Sequence, residues 1–237
     1  MKILADYHTH TKYSHGAGTI EENVLKAIEL GIKKIGISDH GYKHLLYGIK
    51  LDDIFKMREE IDKLNEKYNQ IEILLGMECN VLDEKGNIDT NDKVLDVCDY
   101  IMAGYHFGST PISLNSLVNH FNNSTIKGEK AKEYNTKAII NAMKNNDIFI
   151  ITHPGDKGEV YIEEVAKVAK DTNTHLEINS SHGFLTVEQL KKIENIKCNF
   201  IVGSDAHKPS DVGNFDLAID IIKKSKIDVS YIKNIIL

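Results

Sequence analysis

Two histidines near the start of the chain, His8 and His10, are spaced so that they can bind one metal ion. They belong to the run Asp6-Tyr7-His8-Thr9-His10, which follows a short apolar stretch at residues 2–5 that is predicted to be a buried strand. Side chains alternate along an extended chain, so Asp6, His8 and His10 are expected on one face. Two imidazoles on one face form a metal chelate, and the Asp6 carboxylate is expected to orient a ring from behind the ligands.

The same residue types recur where other apolar runs end, and this repetition distinguishes the pattern from an isolated His-x-His. The further positions are His40, Glu78, His106, His153, Asp205 and His207. Strands of a TIM-type barrel carry their catalytic residues at their C-terminal ends, so we expect these side chains to converge on one site.

Seven strands separated mostly by helices are predicted, which is the pattern of parallel strand–helix units. The strands are placed at residues 2–5, 33–38, 71–77, 99–105, 148–152, 175–179 and 199–203. Thr19 and Glu22 predict a capping box at the start of the first helix, and Gly31 is expected just past its end. The chain lacks the Gly-x-Gly-x-x-Gly turn of dinucleotide-binding folds. An α/β fold of the TIM-like barrel type is therefore favoured over a doubly wound sheet.

Composition narrows the function classes. The chain has 237 residues, of which 41% are apolar and 27% charged, and this suits one domain spanning residues 1–237. A net charge of −6 without a basic block argues against a long nucleic acid as partner. Three scattered cysteines, no signal-peptide pattern and no apolar run of membrane-spanning length predict a cytoplasmic protein that does not enter the membrane.

The ordered set of motifs resembles the PHP superfamily, named for polymerase and histidinol phosphatase. The resemblance covers nearly the whole chain, and it is closest to the small stand-alone phosphatases, including histidinol-phosphatase-like enzymes. It is carried by Asp6-Tyr7-His8-Thr9-His10, His15, Ser38-Asp39-His40-Gly41, Glu78, His106, Ile151-Thr152-His153-Pro154-Gly155 and Ser204-Asp205-Ala206-His207. The resemblance implies a distorted seven-stranded βα barrel, in agreement with the strand count above.

The resemblance also implies three divalent metals, and every ligand position that it requires is filled in this sequence. The implied ligands are His8, His10, Glu78 and Asp205 for the first metal, Glu78, His106 and His153 for the second, and His15, His40 and His207 for the third. A donor set of imidazoles and carboxylates without thiolates suits zinc first, and manganese or iron also fit.

Such a site predicts hydrolysis of a small phosphomonoester by a metal-activated hydroxide, because metal binding lowers the pKa of water to ~7. The metals also neutralise the phosphoryl oxygens, a task that arginine often performs, and Arg58 is the only arginine here. Glu78 is the expected bridge between two metals, and Asp205 is a candidate proton carrier at the leaving group. His44, Lys157 and His182 are candidates for contacts with the substrate or with the ligands.

Three alternatives stay open at this point. Amidohydrolase barrels also begin with His-x-His and end with an aspartate after a late strand, although Glu78 fits that class poorly. A phosphodiesterase or exonuclease lies within the range of the PHP superfamily. A non-catalytic PHP module that binds metal or a protein partner is the third alternative, and the complete set of ligand positions argues against it.

The segment from Phe107 to Gly128 is rich in serine and asparagine and is predicted to be irregular. Its length exceeds that of an ordinary connection, and long loops of this kind often act as lids over active sites. His120 within the segment, and His175 elsewhere, are expected to be structural or surface residues rather than ligands.

Overall fold

The computed structural model describes residues 1–125 and 128–236, and its centre is a sheet of seven parallel strands arranged in chain order. These strands are β2 (Ala5–Thr9), β3 (Lys34–Ile37), β4 (Glu72–Asn80), β5 (Tyr100–Gly104), β6 (Ile150–Ile151), β7 (His175–Asn179) and β8 (Phe200–Gly203). Two further strands, β1 (Lys2–Ile3) and β9 (Ile235–Ile236), pair antiparallel with each other outside this sheet.

The two edges of the seven-stranded sheet meet just beyond the C-terminal ends of β2 and β8. Thr9 pairs with Ala206 in a parallel bridge. The His10 amide donates to the Ala206 carbonyl at 2.8 Å, and the Ala206 amide donates to the His8 carbonyl at 3.2 Å. The sheet is therefore a nearly closed, distorted seven-stranded βα barrel, and the predicted fold class is confirmed.

Eight α-helices occur within the described residues. They are α1 (Ile20–Glu29), α2 (Asp53–Lys67), α3 (Asp92–Leu95), α4 (Leu114–Thr125), α5 (Glu129–Asn145), α6 (Ile162–Asp171), α7 (Val187–Ile193) and α8 (Asp216–Ser225). The predicted capping box is present, since Thr19 Oγ1 accepts from the Glu22 amide and the Glu22 carboxylate accepts from the Thr19 amide. Gly31 follows the end of α1 with a φ of +71°, as predicted. No helix in the described ranges combines the length and the apolarity needed to cross a bilayer.

Two differences from the predicted strand boundaries bear on the site. Residues 2–5 are split, because Lys2 and Ile3 pair with β9 and the barrel strand begins only at Ala5. Strand β4 also continues two residues past Glu78, to Asn80. His8 and Glu78 consequently lie inside strands, where main-chain hydrogen bonds on both sides hold them in place.

The prediction of an irregular segment at residues 107–128 is wrong for residues 114–125, which form α4. Residues 126 and 127 of that segment lie outside the described residues. Ser113 stands at the start of α4, and its Oγ accepts a hydrogen bond from the Ser116 amide at 3.0 Å. Leu114, Val118 and Phe121 have helical spacing, but the surrounding serines and asparagines have low helix propensity and obscured this signal.

Candidate metal centre

The nine predicted metal ligands lie together at the C-terminal end of the barrel, and five of the imidazoles surround the Glu78 carboxylate. Glu78 Oε1 lies 3.0 Å from His106 Nε2, 3.1 Å from His153 Nε2 and 3.4 Å from His8 Nε2. Its other oxygen, Oε2, lies 2.9 Å from His40 Nδ1 and 3.6 Å from His10 Nε2. The side chain of Glu78 has no exposed surface. One buried carboxylate therefore stands at the centre of the cluster.

Asp205 approaches the same cluster from the end of β8. Its Oδ1 lies 3.3 Å from His10 Nε2 and 3.5 Å from His8 Nε2. On the far side of His10, the ring of His207 is stacked at a centroid distance of 4.4 Å. His15 completes this side, with its ring 4.2 Å from that of His207.

The donor atoms fall into three overlapping groups, in each of which the atoms lie within 4.8 Å of one another. Among the described residues these groups are His8 with His10 and Glu78, His40 with Glu78 and His106, and His10 with His40 and His207. The structure thus brings the nine residues together, and the predicted assignment to three ligand sets stays a prediction. His10 and His40 each belong to two groups, because their rings lie between the centre of the cluster and its rim.

Hydrogen bonds at Nδ1 of His8 and His106 determine which nitrogen of each ring can bind a metal. His8 Nδ1 donates to Glu177 Oε1 at 2.7 Å, and His106 Nδ1 donates to Asn80 Oδ1 at 3.1 Å. In the neutral imidazoles, Nε2 then carries a lone pair, and both of these lone pairs point at the Glu78 carboxylate, which has no proton to offer. A proton on the ring or a metal ion satisfies both sides of this contact.

Among the described residues, three further buried atoms of the cluster have no hydrogen-bond partner: His10 Nδ1, His40 Nδ1 and Glu78 Oε2. The last two lie 2.9 Å apart, but their contact lacks hydrogen-bond geometry. Buried polar atoms are nearly always paired, and an unpaired one is costly. Neutral imidazoles and carboxylates are the donors that divalent zinc, manganese and iron accept. The residues present therefore fit a divalent metal centre.

The electrostatics of the cluster favour ionised carboxylates beside imidazoles. Burial would raise the pKa of Glu78, but the adjacent His106, His8 and His40 hold it well below its ordinary value. Burial lowers the pKa of His106 to about 4 in spite of Glu78. His8 differs, because Glu177, Asp205 and Glu78 overcome the effect of burial and raise its pKa well above the ordinary value. A metal bound at His8 would replace a proton that the carboxylates otherwise retain.

Sequence and structure comparisons identify the family and the fold. Residues 6–181 match the PHP domain. The chain belongs to the PHP family. A probable phosphatase of Thermoanaerobacter sp. (strain X514) is 34% identical over 250 residues, which cover 99% of this chain and 91% of that relative.

Two solved structures share the PHP barrel. Histidinol phosphate phosphatase of Lactococcus lactis, determined with zinc, L-histidinol and phosphate, superposes with a TM-score of 0.64. It is 16% identical, and the match covers 95% of this chain and 94% of that chain. A predicted histidinol phosphatase of Listeria monocytogenes gives a TM-score of 0.69 at 19% identity, over 88% of this chain and 97% of that chain. At these identities the likeness establishes the fold alone.

The match to the PHP domain ends before Asp205 and His207, and the barrel shows how these two residues reach the site. Main-chain hydrogen bonds between β2 and Ala206 place both of them beside His10. The last segment of the chain therefore completes a cluster that begins with the first barrel strand.

Asp6 does not orient a ligand ring, contrary to the prediction. β2 contains a bulge: Asp6 is paired with Ile35 and Thr9 with Ile37, so β2 has one residue more than β3 in this interval. The extra residue breaks the alternation that would place Asp6 on the face of His8. The Asp6 carboxylate instead accepts from the main-chain amides of Ser204 at 3.2 Å and Gly213 at 3.0 Å, and so ties β2 to the segment after β8.

The role expected for Asp6 belongs to Glu177, which sequence reasoning missed. Glu177 has no exposed surface; Oε1 accepts from His8, and Oε2 accepts from the His153 amide at 2.8 Å. A signal was available, because His175, Glu177 and Asn179 alternate along one predicted strand. Asn179 Nδ2 also donates to Asp205 Oδ2 at 3.1 Å. β7 thus braces three of the candidate ligands.

A cavity of about 430 Å³ opens above the cluster, and the remaining predicted site residues line its wall. His182 Nε2 lies 3.2 Å from Asp205 Oδ2, and Lys157 Nζ is paired with Asp156 at 2.7 Å. His44 faces the cavity, but its nitrogens are engaged by the main chain, since Nε2 donates to the Phe107 carbonyl at 2.8 Å. Lys157 and His182 therefore have access to a bound molecule, and His44 shapes the wall.

His120 lies outside the cluster but holds the turn that carries His106. The Gly108 amide donates to His120 Nε2 at 3.2 Å, so the ring proton is on Nδ1, which donates to the Tyr105 hydroxyl at 3.1 Å. His120 is therefore not a ligand, as predicted, yet it fixes both flanks of His106 and Phe107. His175, also predicted to be no ligand, binds the Phe149 carbonyl through Nδ1 at 3.0 Å.

Proposed function

We propose that this PHP chain is a metal-dependent phosphatase, formed by one domain of residues 1–237, that hydrolyses small phosphomonoesters at a site for three divalent metals. The observation that carries the proposal is the buried Glu78 carboxylate with five imidazole nitrogens around its two oxygens. The relatives named probable phosphatases support the reaction class.

The proposed ligand assignment keeps Glu78 as the residue shared between two metals. His8, His10 and Asp205 would complete one position and His106 and His153 a second, while His15, His40 and His207 would hold the third metal. When bound, the metals would activate water as the nucleophile and neutralise the phosphoryl oxygens. Zinc suits this donor set first, and manganese or iron also fit it.

The chain's own residues have distinct tasks in this reaction. Glu177 and Asn80 fix the ring orientation of His8 and His106, so that Nε2 of each faces the reacting centre. Lys157 supplies an ammonium group at the cavity wall. His182 and Asp205 meet at 3.2 Å beside the cavity, and we assign to Asp205 the handling of a proton at the leaving group.

Two features favour a monoester over a polymer. The cavity of about 430 Å³ accommodates a small metabolite. Among the described residues that line it, Lys157 is the one ammonium or guanidinium group, whereas binding along a nucleic acid backbone requires several. Arg58 is engaged elsewhere, in ion pairs with Asp62 at 2.8 Å and Asp99 at 2.9 Å.

Metal analysis combined with phosphate release tests the proposal. The protein, purified without chelator, is assayed for zinc, manganese and iron and against a panel of monoesters and matched diesters. L-histidinol phosphate belongs in the panel because the Lactococcus lactis neighbour was solved with L-histidinol and phosphate. We expect close to three metals per chain and faster release from monoesters. Faster turnover of diesters would replace this proposal by a phosphodiesterase, and an active protein without metal would refute it.

A further inference from the structure

Helix α4 has its polarity reversed relative to an ordinary surface helix. Its buried residues are Ser116, Asn119 and Asn123. Leu114, Leu117, Val118 and Phe121, which we call the α4 face, are 75%, 54%, 50% and 61% exposed. Their spacing places them on one stripe of the helix, and such a stripe normally packs against the core. The α4 face is therefore an apolar surface directed away from the protein's own core.

Polar contacts on the inner side hold the helix in this orientation. Asn119 Nδ2 donates to Asn135 Oδ1 at 2.8 Å, and Asn123 Nδ2 donates to the same oxygen at 3.0 Å. Asn135 Nδ2 in turn donates to the Glu159 carbonyl at 3.1 Å. Rotating α4 to bury its leucines would leave these buried amides unpaired, at a cost of about 1–3 kcal/mol each. The exposure of the α4 face is thus a stable property of this fold.

The chain segment that carries the α4 face contains no charged residue. Residues 107–125 contain no Asp, Glu, Lys or Arg, although charged residues form 27% of the chain. Depletion of charge is the compositional mark of the centre of a protein interface. With the nearby Ile112, which is 43% exposed, the α4 face presents on the order of 500 Å² of apolar surface. That area matches the apolar share of an interface that buries about 800 Å² per partner.

We propose that the α4 face is the contact surface for a second copy of this chain, in a two-fold symmetric dimer. A two-fold contact places the same patch on both partners, so the patch must be complementary to itself. An uncharged apolar stripe meets this condition, whereas a charged partner would lose the hydration of its charges against leucine, valine and phenylalanine side chains. A membrane is a poorer match, because helices that lie on bilayers carry lysine or arginine beside the apolar stripe. α4 has neither.

Sedimentation velocity and light scattering over a micromolar concentration series test this inference. The wild-type chain should have about twice the monomer mass of 26.7 kDa. The variant Leu117→Lys/Phe121→Lys should be monomeric, because two-fold symmetry brings the introduced ammonium groups together. Leu25→Lys is the matched control, since Leu25 is a leucine of helix α1 that is exposed to a similar degree, at 47%. The control should stay dimeric.

Folding of each variant is checked by circular dichroism, and Leu117→Gln/Phe121→Gln replaces the lysine variant if that protein unfolds. A monomeric wild-type chain at all concentrations would overturn the inference. A folded α4 variant that is still dimeric would do the same. Flotation of wild-type protein with phosphatidylcholine and phosphatidylserine vesicles, lost in the α4 variant, would assign the α4 face to a membrane instead. None of these outcomes depends on the phosphatase proposal.

Discussion

The barrel interior has two regions built on the same strands. The floor consists of Tyr7, Leu74, Tyr100, Met102, Phe149, Ile150 and Ile201. The mouth consists of the nine candidate ligands with Glu177. On β4, Leu74 belongs to the floor, and Glu78, only four residues later, belongs to the mouth. The position of an inward-facing side chain along the barrel axis therefore determines whether it packs in the floor or belongs to the candidate site, whichever strand carries it.

The floor is stabilised by close packing of its side chains. The Tyr100 ring lies over Gly36 and Gly76, where a Cβ on either glycine would overlap it. Tyr100 meets the rings of Tyr7 and Phe149 edge to face, with centroids 5.8 Å and 5.7 Å away, and donates its hydroxyl to the Tyr7 carbonyl at 2.6 Å. Glycine on one strand thus makes room for an aromatic ring on another, and the result is a packed plug beneath the site.

The mouth is stabilised by contacts with ionised carboxylates. It also contains backbone strain, which the described residues of the floor do not show. His153 and Asp205 have φ values of +26° and +53°, in a region that side chains other than glycine rarely adopt. Such conformations cost about 1–3 kcal/mol each and persist where the surrounding structure fixes them. Here the fixing contacts are the Glu177 bond to the His153 amide and the Asn179 bond to Asp205. The strained conformations of the mouth therefore lower the free energy of unfolding, but they position its donor atoms.

The largest effect separating the two regions is expected for Glu78→Gln. This change keeps the size of the side chain but removes the negative charge that would offset the two metals proposed beside it. Metal content should fall and turnover should drop at least ~100-fold, the scale of losing a well-placed electrostatic group. Elemental analysis and phosphate release measure both. Glu72→Gln, an exposed position at the start of the same strand, is the matched control and should behave as wild type. Full metal content with normal turnover in Glu78→Gln would contradict the two-metal role.

Truncation of a floor side chain should instead lower the stability of the protein and leave metal binding intact. Tyr100→Ala removes a buried ring and leaves a cavity, so the free energy of unfolding should fall by about 3–5 kcal/mol. The folded fraction should still bind metal, because the hydrogen bond and the ring contacts of Tyr100 are to Tyr7 and Phe149, which are not candidate ligands. Denaturant unfolding measures the free energy of unfolding, and elemental analysis measures the metal content of the folded protein. Loss of metal from a folded Tyr100→Ala protein would show that floor and mouth are not separable.

Glu177→Gln tests the bracing of the mouth. A glutamine offers one acceptor where the carboxylate serves both His8 and the His153 amide, so one of these contacts must be lost. Loss of a partner behind a metal ligand typically costs 10–100-fold in affinity, and we expect about that reduction. Competition with a chelator measures it. An affinity equal to that of the wild type would mean that the β2 backbone alone orients His8.

The smallest effect is expected at His120. His120→Phe removes the hydrogen bonds to Tyr105 and Gly108 and should loosen the turn that places Phe107 on the cavity wall. We expect KM to rise about 3- to 10-fold, the equivalent of roughly one hydrogen bond, with metal content unchanged. His120→Gln, which can still donate and accept, should lie closer to wild type. Identical constants for the wild type and both variants would exclude a role for His120 in positioning this turn.

The sequence by itself determined the barrel and the membership of the ligand cluster. Apolar runs that end in histidine or carboxylate specify where each barrel strand delivers its side chain, and parallel strands deliver them to the same end. His40 and His207 could be named for this reason, although 167 positions separate them in the chain. The capping box formed by Thr19 and Glu22 at the start of α1 was also predicted from the sequence.

Only the tertiary structure decided how the cluster is braced and which surface α4 presents. The bulge that separates Asp6 from His8 depends on pairing with β3. Glu177 becomes a partner of His8 only when closure of the barrel places β7 two strands from β2, on the far side of β8. The helical spacing of Leu114 and Phe121 was visible in the sequence, but the outward direction of that stripe follows from amide contacts with Asn135. These features depend on contacts between residues that are distant in sequence, and a periodicity read along one segment carries no information about the partner that the segment meets.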